Sequence, residues 1–204
     1  LRRQRQMCIR DSIWVGCISD NPRIEYFGYL KKMCLTLHNL AQMKKGWLPI
    51  HGAFVNIYLK DGTKKGIMLM GDSGAGKSES IEALKATAGD MIREVEVVFD
   101  DMGTIHLEDG VPYGQGTEIG AFIRLDDLDP GTPYRDMDRS IFMAPENPNS
   151  RMIQPAAPYR VVVHNHKIDL FAYANNYTNE FGLKKLTVQE VKDTCKLGKR
   201  MALG

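Results

Sequence analysis

Residues 66–78, GIMLMGDSGAGKS, decide the fold that we expect for this 204-residue chain. The apolar run at 66–70 has the length of a β-strand, and residues 78–88 have helical composition. Between them, residues 71–78 match the pattern G-x-x-x-x-G-K-[S/T], in the strand–loop–helix context that a phosphate-binding loop requires. The stretch therefore predicts an α/β domain that binds a nucleotide.

The chemistry of this loop assigns roles to its residues. Glycines allow backbone N–H groups to crowd around phosphate oxygens, and the start of the following helix adds a partial positive charge. Lys77 would neutralise the β- and γ-phosphates, and the Ser78 hydroxyl would ligate Mg²⁺. The predicted nucleotide-binding residues are Gly71, Asp72, Ser73, Gly74, Ala75, Gly76, Lys77 and Ser78.

An acidic pair follows a second apolar strand. Asp100 and Asp101 come directly after the run at 95–99. Carboxylates at the end of a strand downstream of a phosphate loop are where the metal ion of a nucleotide needs oxygen ligands. A pair of solvated turn residues before Gly103 is the alternative, and the position after the strand favours metal ligands.

Hydrophobic spacing predicts the other elements. Apolar residues at three- and four-residue steps indicate an amphipathic helix from Tyr26 to Lys45. Thr187 and Glu190 have the spacing of a capping box at the start of a last helix, 187–196. The predicted strands are 54–59, 66–70, 95–99, 121–125, 140–143, 161–163 and 168–173, with loops at 126–138 and 144–158. The fold class is α/β, with more short strands in its second half than a plain doubly wound sheet needs.

Composition is that of an ordinary globular protein and excludes several classes. The chain is 43% hydrophobic and 25% charged, which argues against disorder. A formal net charge of +2 gives no electrostatic case for a nucleic acid or membrane partner. No apolar run approaches the roughly 20 residues of a membrane span. The four cysteines have no metal-ligand spacing, which favours a reducing, cytoplasmic compartment.

Two boundaries divide the chain. Residues 1–12, LRRQRQMCIRDS, have neither helical nor strand period and resemble a translated sequencing adapter, so we expect a non-native tail. The break from Gly46 to Pro49 separates the first helix from a strand-rich region. It predicts that residues 13–47 end a substrate domain and that residues 48–204 belong to a truncated nucleotide-binding domain.

Lys32 and His51 carry no functional signal on their own. Lys32 belongs to a lysine pair on an amphipathic helix, where such residues are most often the solvated face. A lone histidine is more often a structural residue than a ligand. Residue type and spacing therefore leave both roles open.

Several stretches taken together resemble the ATP-dependent phosphoenolpyruvate carboxykinases. Residues 26–32, YFGYLKK, are similar to the family's Y-x-G-x-x-K-K, whose tyrosine and second lysine line the substrate site. Residues 48–56 resemble its L-x-M-H-x-x-x-N, whose histidine is a Mn²⁺ ligand, and residues 71–77 match its phosphate loop. The spacing from 26 to 32 to 51 fits the family without a gap.

The resemblance extends over about residues 13–177. Asp100-Asp101 matches the family's paired aspartates, of which the second ligates Mn²⁺. Residues 118–122 resemble the nucleotide-contacting E-G-G-x-Y, and residues 150–155 resemble T-R-x-x-Y-P, whose arginine reaches the transferred phosphate. The resemblance implies metal ligands Lys32, His51 and Asp101, with Ser78 and Asp100 toward Mg²⁺; substrate contacts Tyr26, Lys32 and Arg151; and nucleotide contacts Glu118 and Arg151.

The implied reaction converts oxaloacetate and ATP into phosphoenolpyruvate, CO₂ and ADP, as in gluconeogenesis. A divalent cation held by Lys32 as a neutral amine, with His51 and Asp101, would stabilise the enolate as a Lewis acid. Lys77 and Arg151 would neutralise charge on the moving phosphoryl group. The implied catalytic residues are Lys32, Lys77 and Arg151, the cofactors are ATP, Mg²⁺ and Mn²⁺, and the partners are small molecules.

Departures from the family keep two alternatives open. Residues 51–56, HGAFVN, and 77–80, KSES, are similar to HPr kinase/phosphorylase, a bacterial enzyme that shares the nucleotide-binding fold and phosphorylates a serine of a carrier protein. If Lys32 lies in solvent, far from Asp101, the carboxykinase chemistry fails and this kinase becomes the leading interpretation, with Asp100 or Asp101 as general base toward a protein serine. The second alternative is a non-catalytic nucleotide-binding module, which would lose the second metal set that this chain retains.

Overall fold

A computed structural model describes residues 7–10, 13–19, 27–71, 76–86, 89, 91–124, 151–174 and 182–197. In chain order, its elements are β1 (Met7–Arg10), β2 (Ile13–Gly16), α1 (Phe27–Lys44), β3 (Leu48–Leu59), β4 (Lys64–Met70), α2 (Lys77–Ala86), β5 (Ile92–Glu108), β6 (Val111–Gly116), β7 (Gly120–Arg124), β8 (Arg151–Pro155), α3 (Tyr159–Val162), β9 (His166–Lys167), β10 (Leu170–Tyr173) and α4 (Val188–Leu197).

The centre of the fold is a mixed six-stranded sheet. Its strand order is β10-β4-β3-β5-β6-β9. Strands β10 and β4 run parallel, and the other neighbours in the sheet are antiparallel. Two small antiparallel pairs, β1–β2 and β7–β8, lie outside this sheet. The predicted α/β class is confirmed at this level.

Strand β3 separates two hydrophobic clusters, because successive side chains of a strand point to opposite faces. On one face, Phe54 packs with Met68 and with the short helix α3. On the other face, Ala53 and Val55 pack with Ile81 of α2. Helix α2, which follows the phosphate loop, therefore covers one face of the sheet, and α3 lies against the other.

A β-bulge interrupts the pairing of β3 with β5. Phe54 is opposite Phe99, whereas Val55 is opposite Val97, so that Val98 is an extra residue in β5. Both Val98 and Phe99 consequently lie in the cluster around Phe54. The bulge is immediately upstream of the acidic pair predicted from the sequence.

Several local predictions are confirmed. The first helix was expected at residues 26–45 and spans Phe27–Lys44. The strand leading to the phosphate loop and the helix after it are β4 and α2. Thr187 and Glu190 form the expected capping box, in which Glu190 N–H donates to Thr187 Oγ1 at 3.2 Å and Thr187 N–H donates to Glu190 Oε2 at 2.7 Å.

Other local predictions are wrong. Residues 161–163 were expected to be a strand, but α3 begins directly after Pro158, whose φ of −65° suits a helix start. The loop predicted at 144–158 includes strand β8, which pairs with β7. Strand β6 was not anticipated, and β3 and β5 are much longer than the predicted 54–59 and 95–99. The predictions for residues 126–138 and 140–143 lie outside the described residues.

Within the described ranges, no helix combines the length and the apolar character needed to cross a membrane.

Candidate active site

Strand register brings the phosphate-binding loop next to His51 and the acidic pair. Gly52 of β3 is paired with Met70 of β4 on one side and with Asp101 of β5 on the other. Because neighbouring strands are about 4.8 Å apart, the end of β4 lies within roughly 10 Å of Asp101. The loop that starts at Gly71 therefore leaves the sheet beside His51 and Asp101.

The described part of the loop has the features of a strand–loop–helix junction. Gly71 is buried, and Gly76 has a φ of +81°, which glycine adopts without strain. The Ser80 N–H and hydroxyl both donate to the Gly76 carbonyl, at 2.9 and 2.6 Å, and fix the first turn of α2. Lys77 is 7% exposed at the start of that helix. Residues 72–75 and the Ser78 side chain lie outside the described part.

Asp101 is the centre of a group of charged side chains. Its Oδ1 is 2.8 Å from His51 Nε2, and its Oδ2 is 3.2 Å from Lys31 Nζ. Although burial alone would raise the pKa of Asp101, the His51 hydrogen bond and the Lys31 charge lower it to about 2. Its φ of +114° is strained for a residue with a side chain. The protein thus holds an ionised carboxylate in a costly backbone conformation.

Glu118 joins this group through Lys31. Its Oε2 is 3.0 Å from Lys31 Nζ, and its side chain is 12% exposed. Its Oε1 is buried and has no hydrogen-bond partner among the described residues. Burial raises the pKa of Glu118 from 4.5 to about 7, with Asp101 and Asp100 adding to the rise and Lys31 opposing it. We call His51, Asp101, Lys31 and Glu118 the Asp101 cluster.

The structure brings together three of the residues predicted for this site, with one difference in the lysine. His51, Asp101 and Glu118 lie in one cluster. The lysine in contact with Asp101 is Lys31, whereas Lys32, which the resemblance selects, is exposed. Consecutive residues of an α-helix point about 100° apart, so only one of two adjacent lysines can face a given site. Lys31 was not among the residues predicted for the site. The sequence offered only its position beside Lys32 as an indication that it could contact Asp101.

The structure describes the remaining predicted residues only in part. Asp100 is paired with Ala53, which places it on the sheet face covered by α2. Arg151 begins β8, but its side chain lies outside the described part. Tyr26 precedes α1 and is also outside it.

The donor set of the Asp101 cluster suits a divalent cation. No group of three or more His, Cys, Asp and Glu side chains that could hold a metal occurs among the described residues. The nearest candidate, His51 with Asp101, therefore needs the Lys31 amine to complete three ligands. One carboxylate oxygen with two nitrogen donors is a set that first-row divalent cations accept, and the unpartnered Glu118 Oε1 is a further oxygen of the cluster, of the kind that Mn²⁺ prefers.

Comparisons of the chain with protein-family models and with curated proteins gave no match.

Proposed function

We propose that the chain is the nucleotide-binding part of an ATP-dependent, phosphoenolpyruvate carboxykinase-like enzyme that decarboxylates and phosphorylates oxaloacetate. The observation that carries the proposal is the position of Asp101, which holds His51 and Lys31 beside the strand that leads into the phosphate loop. A phosphate loop alone fits many functions. A histidine and a lysine on one carboxylate at its side fit a second cation site toward a small anionic substrate.

The side chains of the cluster have separable tasks. Asp101 is ionised at neutral pH, so it orients the His51 ring and the Lys31 amine through charge-assisted bonds. Lys31, His51 and Asp101 would hold a divalent cation, which supplies Lewis-acid stabilisation of a developing enolate oxygen when bound. Lys77 and Arg151 would neutralise the transferred phosphoryl group, and Ser78 and Asp100 would hold the Mg²⁺ of the nucleotide.

Two adjacent lysines give a matched test of this site. Lys31→Ala should lower Mn²⁺-dependent formation of phosphoenolpyruvate from oxaloacetate and ATP about 100-fold. The variant removes the amine that contacts Asp101 and that would help to hold the cation. Lys32→Ala should change it less than about threefold, since Lys32 is exposed. His51→Ala should reduce turnover as Lys31→Ala does while leaving ATP affinity within about twofold.

Two results would contradict the proposal. If the full-length protein that contains this chain forms no phosphoenolpyruvate with oxaloacetate, ATP, Mg²⁺ and Mn²⁺, the carboxykinase reaction is wrong. If Lys32→Ala abolishes turnover and Lys31→Ala does not, the assignment of Lys31 is wrong and the resemblance has chosen the right lysine.

A second candidate is an HPr-kinase-like protein kinase, and the exposure of Lys32 favours it. In this reaction Asp100 or Asp101 acts as general base toward a serine hydroxyl, and no lysine is needed as a ligand. Transfer of ³²P from γ-labelled ATP to a serine of a bacterial HPr protein tests it. Activity that is lost in Asp101→Asn but retained in Lys31→Ala would support the kinase, and no labelling would exclude it.

A further inference from the structure

The turn between β6 and β7 holds Glu118 at a defined place. Strand β6 ends at Gly116, which pairs with Gly103, so the ladder does not fix Glu118. Thr117 anchors the turn on one side, because both its N–H and its hydroxyl donate to the Met102 carbonyl, at 3.2 and 3.0 Å. On the other side, the Ile119 carbonyl accepts the Ala156 N–H at 2.8 Å.

The Met102 carbonyl, which accepts both bonds from Thr117, is next to Asp101 in the chain. Met102 follows Asp101, whose φ of +114° strains β5 at this point. A hydroxyl bonded to that carbonyl therefore ties the β6–β7 turn to the strained residue that holds His51 and Lys31. Glu118 comes directly after Thr117 and contacts the same Lys31 amine as Asp101 does.

We propose that Thr117 is a positioning residue, whose hydroxyl sets the distance between the Asp101 and Glu118 carboxylates that share Lys31. The inference rests on the proposed function, since positioning matters to catalysis only if the cluster is an active site. Thr117 itself contacts no reacting atom. It acts through Glu118 and through the Met102 peptide.

Thr117→Val is the sharpest variant, because it keeps the β-branched shape and removes only the hydroxyl. Thr117→Ser keeps the hydroxyl and is the rescue control. Thr104→Val is the matched control on β5: Thr104 is fully buried, and its hydroxyl has no hydrogen-bond partner in the described part of the chain. Losing that hydroxyl removes no bond.

The first measurement is independent of activity. The thermal unfolding midpoints of Thr117→Val, Lys31→Met and the double variant of the full 204-residue chain form a double-mutant cycle. We expect the double variant to lose less than the sum of the two single losses, because the Lys31–Glu118 pair is already disturbed when Thr117 loses its hydroxyl. Additive losses would overturn the positioning role.

The second measurement is turnover with oxaloacetate and ATP. Thr117→Val should lower kcat about tenfold with the KM for ATP within about twofold, and Thr117→Ser and Thr104→Val should each retain most of the wild-type kcat. Equal damage in Thr117→Ser and Thr117→Val, or an unchanged kcat in Thr117→Val, would overturn the proposal. Coupled midpoints without any wild-type turnover would support the positioning of Lys31 and Glu118 by Thr117 and reject the proposed function instead.

Discussion

Two of the histidine–carboxylate groups on the central sheet differ in exposure and in backbone strain. The first is the Asp101 cluster. The second, which we call the Asn56 network, joins Asn56, Tyr58, Glu96 and His166. Each contains an imidazole close to a carboxylate, so residue type alone does not distinguish them.

The Asn56 network is buried and held by bonds among its own members. Asn56 is fully buried, and its amide lies 2.9 Å from Glu96 Oε2 and 2.9 Å from His166 Nδ1. His166 Nε2 donates to the Val161 carbonyl at 2.7 Å, which leaves Nδ1 to accept from Asn56. Burial lowers the pKa of His166, so the ring is neutral at pH 7. This network ties β9 and α3 to the centre of the sheet.

The Asp101 cluster differs from the Asn56 network in exposure and in backbone strain. The His51 and Asp101 side chains are 39% and 36% exposed and Asp101 has a positive φ, whereas Asn56 is fully buried. Each group also contains a buried oxygen without a hydrogen-bond partner among the described residues, Glu118 Oε1 in the first and Asn56 Oδ1 in the second. Strain and shifted pKa values persist where the surrounding structure maintains them, and they concentrate at functional sites. The comparison teaches that exposed charged groups on a strained backbone, rather than the presence of histidine and acid, distinguish the candidate site.

The largest effect that we expect is on nucleotide binding. The phosphate loop that would bind the nucleotide starts at the same end of the sheet as the Asp101 cluster. Lys77→Ala should abolish MgATP binding, with at least about a 100-fold loss of affinity, because it removes the cation that meets the phosphates. Isothermal titration calorimetry measures this, with Lys185→Ala, an exposed lysine, as control. Unchanged affinity would refute the phosphate-loop interpretation.

The next largest effect is on the free energy of unfolding, which should fall more for a variant in the Asn56 network than for one in the Asp101 cluster. Asn56→Ala should lower the free energy of unfolding by about 2 to 3 kcal/mol, because it removes the buried amide that bonds to both Glu96 Oε2 and His166 Nδ1. His51→Ala should cost less than about 1 kcal/mol, since its pair with Asp101 is partly exposed. Urea denaturation of both variants measures the two free energies of unfolding. Equal losses of stability would contradict the distinction between the Asn56 network and the Asp101 cluster.

Protonation of Glu118 should contribute to the pH dependence of the free energy of unfolding. Its pKa is raised from 4.5 to about 7 in the folded chain, so the folded state keeps a proton that the unfolded state releases. Stability should therefore fall by at most about 3 kcal/mol as pH rises from 4.5 through 7. In Glu118→Gln this part of the slope should disappear. A slope that persists in the variant would assign the effect to another group.

The smallest effect concerns the strained backbone. Asp101→Gly and Asp101→Ala both remove the carboxylate, but only glycine adopts the φ of +114° without strain. The glycine variant should be about 1 kcal/mol more stable than the alanine variant, while both lose the activity of the cluster. An alanine variant as stable as the glycine variant would show that the backbone relaxes when the carboxylate is gone.

Local patterns predicted the parts of the fold that local forces determine. Helix α1, strand β4 and the capping box of α4 follow from hydrophobic spacing and from side chain–backbone bonds within a few residues. Strand β6 was not predicted, because Gly114 and Gly116 are residues that usually indicate a turn. In the fold they are small for a tertiary reason: a Cβ at Gly114 would lie 2.9 Å from the Phe54 ring, and one at Gly116 would lie 2.7 Å from Val162.

The candidate site was predictable only where a resemblance supplied the spacing. The phosphate loop was visible as a motif, whereas the pairing of His51 with Asp101 came from the family resemblance. The contacts of Lys31 with Asp101 and Glu118 join distant parts of the chain through sheet register. No local pattern chooses between Lys31 and Lys32, because the choice depends on the rotation of α1 against the sheet.

The extra residue in β5 determines which aspartate faces which side of the sheet. With the bulge at Val98, Asp100 is opposite Ala53 and shares the face of α2, whereas Asp101 is opposite Gly52. If the two strands paired without this bulge and no residue were lost, each residue after Val97 would lie opposite the next residue along β3. Asp100 would then be opposite Gly52, and Asp101 would be opposite His51. The extra residue, rather than the order of two identical neighbours, therefore decides which acid takes the place beside Gly52.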